Sequence, residues 1–136
     1  MRQHSLKTTY LIHKTLVSND LLMTKIDEAN IQLLVSQMNT TFPNVVITRT
    51  SIKSERGNKD FIGDIVSFNI RVYSDKYDVG VDIADTIRFI LENREFQDDS
   101  IRIENIILTG ATETMSYDTF VQDMNFQCEV SHPIND

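Results

Sequence analysis

Three histidines, one cysteine and 20 carboxylates are the side chains of this 136-residue sequence that could ligate a metal, shuttle a proton or attack a carbonyl. Acyl transfer needs a nucleophile whose proton is taken by a neighbouring base. No serine stands in a GxSxG elbow or in any recognisable relation to His4, His13 or His132. Those histidines lie near the two ends of the chain and read as solvent-exposed residues. Zinc needs three or four imidazole or thiolate ligands, and Cys128 is the lone thiol. It falls on the apolar side of an alternating stretch, the setting of a buried, inert sulfhydryl. Gly57, Gly63, Gly80 and Gly110 are the only glycines, and their spacing fits neither a dinucleotide fingerprint nor a glycine-rich phosphate loop. The sequence therefore assigns no catalytic, cofactor-binding or metal-binding residue, and enzymatic chemistry is the last reading it supports.

Two constellations point instead to recognition by surfaces. Asp78, Asp82 and Asp85 stand four and three residues apart, so a helix stacks their carboxylates on one side. Such a triplet is either a cation site or a solvated acidic face. The second account needs no ligand, because acidic residues in the first turns already favour the positive end of the helix dipole. At about 100° per residue, Phe89 projects within about 40° of Asp82 and Asp85, opposite the apolar stripe. An aromatic amid carboxylates is covered either by a loop of its own chain or by a neighbouring subunit. Asp78, Asp82, Asp85 and Phe89 are thus candidates for a subunit interface. The second constellation is residues 53–64, in which Lys53, Glu55, Arg56, Lys59 and Asp60 accompany the apolar pair Phe61 and Ile62. As a connection between two strands it is far longer than the 2 to 5 residues that usually close a hairpin. It reads either as a mobile tip or as an arm that orders on a partner, with Phe61 or Ile62 as anchor and the charges setting register. The length favours the arm.

The elements that must carry these residues are read from periodicity. Leu6, Tyr10, Ile12, Leu16 and Val17 predict an amphipathic helix over 5–17, with Ser5 placed to cap it. Residues 21–41 stay open, since Leu21 to Met38 suits a helical turn followed by either a short strand or a second helix. From Pro43 the period changes to two. Val45 to Ile52 is rich in β-branched residues, and Val66, Phe68, Ile70 and Val72 alternate with polar neighbours. A helix from Asp78 places Val79, Ile83, Ala84, Ile87, Ile90 and Leu91 on one face, and the polar run Asn93 to Asp99 ends it. Ile101 to Thr109 and Thr119 to Val130 predict two antiparallel strands, with Gly110 to Asp118 as the turn and residues 131–136 as a flexible tail. The expected fold is one α+β domain over 1–136: a four-stranded, mostly antiparallel sheet, helices packed on one face, and a long hairpin arm.

Composition sets the remaining limits. Thirteen basic against 20 acidic side chains leave a formal charge of −7, and 40% of residues are hydrophobic. A chain of this length buries about two thirds of its unfolded surface, enough for one core without disulfides or metal. The acidic balance lacks the clustered Lys and Arg that grip phosphates, so DNA is not expected to be bound. Nothing approaches the roughly 20 apolar residues of a membrane span, and a single cysteine fits a reducing compartment.

One family shares the order of elements together with several local stretches. These are Phe42-Pro43-Asn44-Val45-Val46-Ile47 opening a strand, the long arm, Val66-Ser67-Phe68-Asn69-Ile70-Arg71-Val72-Tyr73-Ser74-Asp75 running into Ala84-Asp85-Thr86-Ile87-Arg88, and Asp123-Met124-Asn125-Phe126 near the end. Over roughly residues 5–130 they resemble the small tail terminator and tail-to-head joining proteins of long-tailed bacteriophages. Residues 27–41 depart from the simplest family pattern as extra sequence before the proline-led strand. The resemblance implies a ring, typically a homohexamer, that caps the tail tube at the head–tail junction of the virion after assembly in the host cytoplasm. It implies the tail tube protein and the head–tail connector proteins as partners, with no cofactor. Residues 53–64 would serve as the docking arm, and Phe89 with the acidic helix as ring contacts. Six copies carrying −7 each would set −42 formal charges around a lumen through which DNA passes without specific binding. Two other readings stand beside this one: another neck or head-completion protein, and a small soluble regulatory or ligand-binding α+β domain.

Overall fold

Strict alternation builds the centre of the sheet. Val66, Phe68, Ile70 and Val72 on one strand, and Met124, Phe126, Cys128 and Val130 on the next, are all buried. Phe68 pairs directly with Phe126, and their rings stack with centroids 5.2 Å apart. The computed structural model describes residues 4–34, 41–55 and 63–134. It contains six strands: β1 (Ile31–Leu33), β2 (Asn44–Glu55), β3 (Gly63–Ser74), β4 (Phe96–Gln97), β5 (Arg102–Ser116) and β6 (Thr119–Ser131). Their spatial order is β1-β2-β3-β6-β5-β4. β1 runs parallel to β2, and every other neighbouring pair is antiparallel.

Three helices complete the fold: α1 (Thr8–Val17), α2 (Asp20–Met23) and α3 (Tyr77–Leu91). α1 touches β1 and β2 at one margin of the sheet and β4 at the other, so the sheet curls around it as a half-barrel. Leu11, Ile12 and Leu16 of α1 and Ile83, Ile87, Ile90 and Leu91 of α3 join the apolar face of the sheet in one core. α3 approaches the end of β3 closely: a methyl group at Gly80 would stand 3.2 Å from Ser74 Cβ. Beyond α3, Asn93 adopts the left-handed conformation (φ 62°), and its N–H donates to Ile106 O at 2.9 Å.

The expected four-stranded, mostly antiparallel sheet is therefore replaced by a six-stranded, curled, mixed one. The two added strands are three and two residues long. β1 lies in the stretch left open between helix and strand, and β4 in the polar run after α3. Strands this short show no period; their hydrogen bonds come from neighbours placed by the rest of the fold. The expected extra sequence at 27–41 contains β1, the parallel edge. At the first helix, Ser5 is not the cap: Ser5–Lys7 is a 3₁₀ turn ahead of α1, and Thr8 Oγ1 donates to Ser5 O at 2.6 Å. The stretch expected as a turn at Gly110 to Asp118 is mostly ladder. β5 and β6 stay paired up to Ser116 and Thr119, and only Tyr117 and Asp118 form the bend.

Candidate interaction surfaces

α3 presents the acidic residues on its outer side, and they do not converge. Asp78 is exposed in the first turn, where it favours the helix dipole. Asp82 forms an ion pair with Lys25, just beyond α2. Asp85 lines an open cleft of about 360 Å³ with Arg88, Phe89, Glu92, Asn93 and Arg94. Among the described residues no three His, Cys, Asp or Glu side chains are grouped to hold a metal ion. Phe89 is 67% exposed, so no loop of the described residues covers it. The Arg94 guanidinium lies 5.1 Å from the Phe89 ring centroid, a cation–π contact on an otherwise open aromatic. The structure thus joins Asp85 to Phe89, ties Asp82 to α2, and leaves Asp78 apart at the helix start.

The same cleft reaches the margin of the sheet. Glu92 Oε1 accepts from Arg88 Nη2 at 3.0 Å, while its Oε2 accepts from the Leu108 N–H of β5 at 2.9 Å. Arg88 and then the Leu108 N–H hold the Glu92 carboxyl below its ordinary value. One carboxylate therefore staples the end of α3 to β5.

Of the expected arm, the ends are sheet. The β2–β3 ladder continues through Lys53↔Ile65, Ser54↔Asp64 and Glu55↔Gly63, and Ser54 Oγ donates to Asp64 Oδ1 at 3.0 Å. Arg56, Lys59, Asp60, Phe61 and Ile62 lie outside the described residues.

One projecting hairpin is hidden by its composition. Every residue from Thr109 to Asp118 is exposed, so the distal half of β5 is wet on both sides and carries no hydrophobic alternation. Thr109, Thr112 and Thr114, with their β-branched side chains, were the available signal. At the bend, Tyr117 and Asp118 both have positive φ (50° and 62°), as in a type I′ hairpin turn, without the usual Asn-Gly. Tyr117 is 99% exposed and Met115 64%. The base of the hairpin is locked to α3: Tyr77 meets Phe120 edge to face at 5.7 Å, and its hydroxyl donates to Glu113 Oε2 at 2.9 Å. Gln122 Nε2 also donates to Glu113 at 3.0 Å. Gln122 and then Tyr77 lower the Glu113 carboxyl, and Glu113 in turn raises the Tyr77 hydroxyl.

Cys128 and His13 are engaged in packing. Cys128 is 1% exposed, and burial pushes its thiol up to about 12, with the neighbouring Glu129 adding to the shift. His4, His13 and His132 are all half-buried rather than solvent-exposed, and His13 Nε2 lies 2.9 Å from Ile31 O, bridging α1 to β1. On the far face of the sheet, Asn69 donates to Met124 O and Asn125 Oδ1, and Arg71 Nε pairs with Asp123 at 3.0 Å. No helix among the described residues is long and apolar enough to cross a membrane.

Similarity to known proteins lies in shape. No protein-family model matches the chain, and no curated protein sequence does. Among solved structures, a chain of the virion of a native gene transfer agent particle superposes with a TM-score of 0.70 at 13% identity. The match covers 89% of this chain and 92% of that one. A second solved chain, of no stated function, matches with a TM-score of 0.66 at 9% identity over 98% of this chain and 100% of that one. At these identities the likeness is one of fold.

Proposed function

We propose that this chain is a structural protein of a phage-like virion, acting at the head–tail junction as a ring that caps the tail tube and joins it to the head connector. The observation that carries the reading is the nearly end-to-end fold likeness to a chain of the gene transfer agent virion. It agrees with the independent resemblance of the sequence to tail terminators. The chemistry of the surface supports the same direction. The lone thiol is sealed in the core, and several large apolar side chains, Phe89, Met115 and Tyr117 among them, are exposed.

In this reading the copies of the ring meet through α3. Phe89 is the apolar anchor, Asp85 and Arg94 flank it, and Asp78 and Asp82 extend the contact toward the helix start. Closed cyclic symmetry makes the contact heterologous, so a different face of the next subunit receives this one. Residues 53–64 dock on the tail tube protein, and the acidic wall lets DNA pass without adhesion. No catalytic step or cofactor is part of the role.

Size-exclusion chromatography with light scattering tests the ring directly. Six copies of 15.7 kDa give about 94 kDa, far from a monomer. Electron microscopy of virions decorated with an antibody to this chain tests the place. Label at the junction of capsid and tail is expected, and label elsewhere on the particle sinks the assignment.

A further inference from the structure

Resting on the ring reading above, we infer that the tip of the β5–β6 hairpin of one subunit seats in the Phe89 cleft of the next, with Tyr117 against the Phe89 ring and Asp118 against Arg94. The tip is strained. Tyr117 and Asp118 both hold positive φ, 50° and 62°, a conformation that a bulky side chain disfavours and that Asn-Gly would adopt readily. Residues kept against such a preference cluster at functional positions. Tyr117 is 99% exposed, so its ring adds nothing to the core of its own chain. The base of the hairpin is fixed on α3 by the Tyr77–Phe120 contact and the Tyr77–Glu113 hydrogen bond, and the tip is therefore presented in a set direction.

The cleft complements that tip in chemistry. Within it Arg88 and Glu92 neutralise each other at 3.0 Å, which leaves Asp85 and Arg94 as its uncompensated charges. Among the described residues neither of these side chains, nor that of Asp118, makes a hydrogen bond or ion pair. Arg94 touches only the Phe89 ring, at 5.1 Å, so the donors of its guanidinium fork remain open to a carboxylate. Asp118 supplies that carboxylate. The Tyr117 hydroxyl is a donor for Asp85, and the Tyr117 ring is an aromatic partner for Phe89. The cleft is also held in shape before anything binds, because Glu92 Oε2 accepts from the Leu108 N–H and the Asn93 N–H donates to Ile106 O. A site already ordered loses little freedom on association.

The chain cannot fill the cleft with its own tip. Leu108 is tied to the cleft through Glu92, and from Gly110 to Ser116 β5 stays in continuous register with β6. At 3.4 Å per residue the bend therefore stands about 25 Å from the cleft. A second copy meets no such restriction. Tip and cleft are different faces at opposite ends of one strand, so the contact runs head to tail, the heterologous kind that a closed ring requires. The same two residues thus answer two questions at once: what receives the exposed Phe89, and why a strained Tyr-Asp bend is kept.

Charge reversal in the full chain tests the contact. Arg94→Glu and Asp118→Arg, each alone, should raise the concentration needed for assembly at least about tenfold in light scattering, and the double variant should recover most of it. Circular dichroism checks that each variant folds. Where a reversal unfolds the chain, Arg94→Gln or Asp118→Asn takes its place and should weaken assembly in the same direction. Assembly that either reversal leaves unchanged, or a double variant as weak as the two single effects combined, overturns this contact and leaves the ring standing. A wild-type chain that stays single at every concentration also overturns it, and the label on the virion then judges the ring reading by itself.

Discussion

Burial at Cys128 does the opposite of what a nucleophile needs, since it stabilises the protonated thiol. Below about pH 9 the sulfur is neutral in both folded and unfolded chains. Between 9 and about 12 the unfolded chain releases a proton that the folded chain keeps, so stability falls as pH rises through that window. Urea midpoints of the wild type should therefore drop relative to Cys128→Ala from pH 9 upward and run parallel to it below. Phe89 lies at the other extreme of exposure. Phe89→Ser removes a contact with Arg94 and little else within the chain, so monomer stability should change by less than about 0.5 kcal/mol. Assembly should weaken clearly, as read by light scattering; an unchanged mass would remove Phe89 from the contact. Both residues were legible from local pattern, because burial on an alternating strand and projection from a helix follow from spacing alone. The exposure of His13 was misjudged, since its neighbour Ile31 belongs to a strand that spacing does not reveal.

At the scale of elements, the β5–β6 hairpin shows a conflict between local preference and observed shape. A type I′ bend places both central residues in the left-handed region, which suits Asn-Gly and disfavours Tyr. Tyr117→Asn combined with Asp118→Gly should raise stability by up to about 1 kcal/mol in denaturant unfolding. If Tyr117 is a contact residue, the same pair should weaken assembly, since the ring presented at the tip is lost. The long central strands and α3 were readable because each buries one face against the core. The distal half of β5 was not, because both of its faces meet water in the single chain and polar residues satisfy both. The sheet pairing at the ends of the 53–64 segment is hidden for a related reason: Lys53, Ser54 and Asp64 are polar and yet paired.

For the whole molecule, the proposed ring contact joins the exposed Phe89 ring to charged side chains beside it. Raising salt from about 0.05 to about 0.5 M should weaken assembly if the charges beside Phe89 dominate, because screening shortens the reach of exposed charges. Strengthening with salt would instead assign the contact to apolar surface around Phe89. A heterologous ring needs two different faces on each subunit, one to receive the other.

The amino-acid order alone determined which faces of the long strands and of α3 turn inward, because alternation at periods of 2 and 3.6 is a local property of neighbouring residues. It also determined where a reactive centre had no local motif to build on. Tertiary structure alone decided that two- and three-residue segments become strands and that the sheet curls around α1. Those features depend on hydrogen bonds to backbone brought from distant parts of the chain, and no pattern within a short segment encodes the partner it will meet.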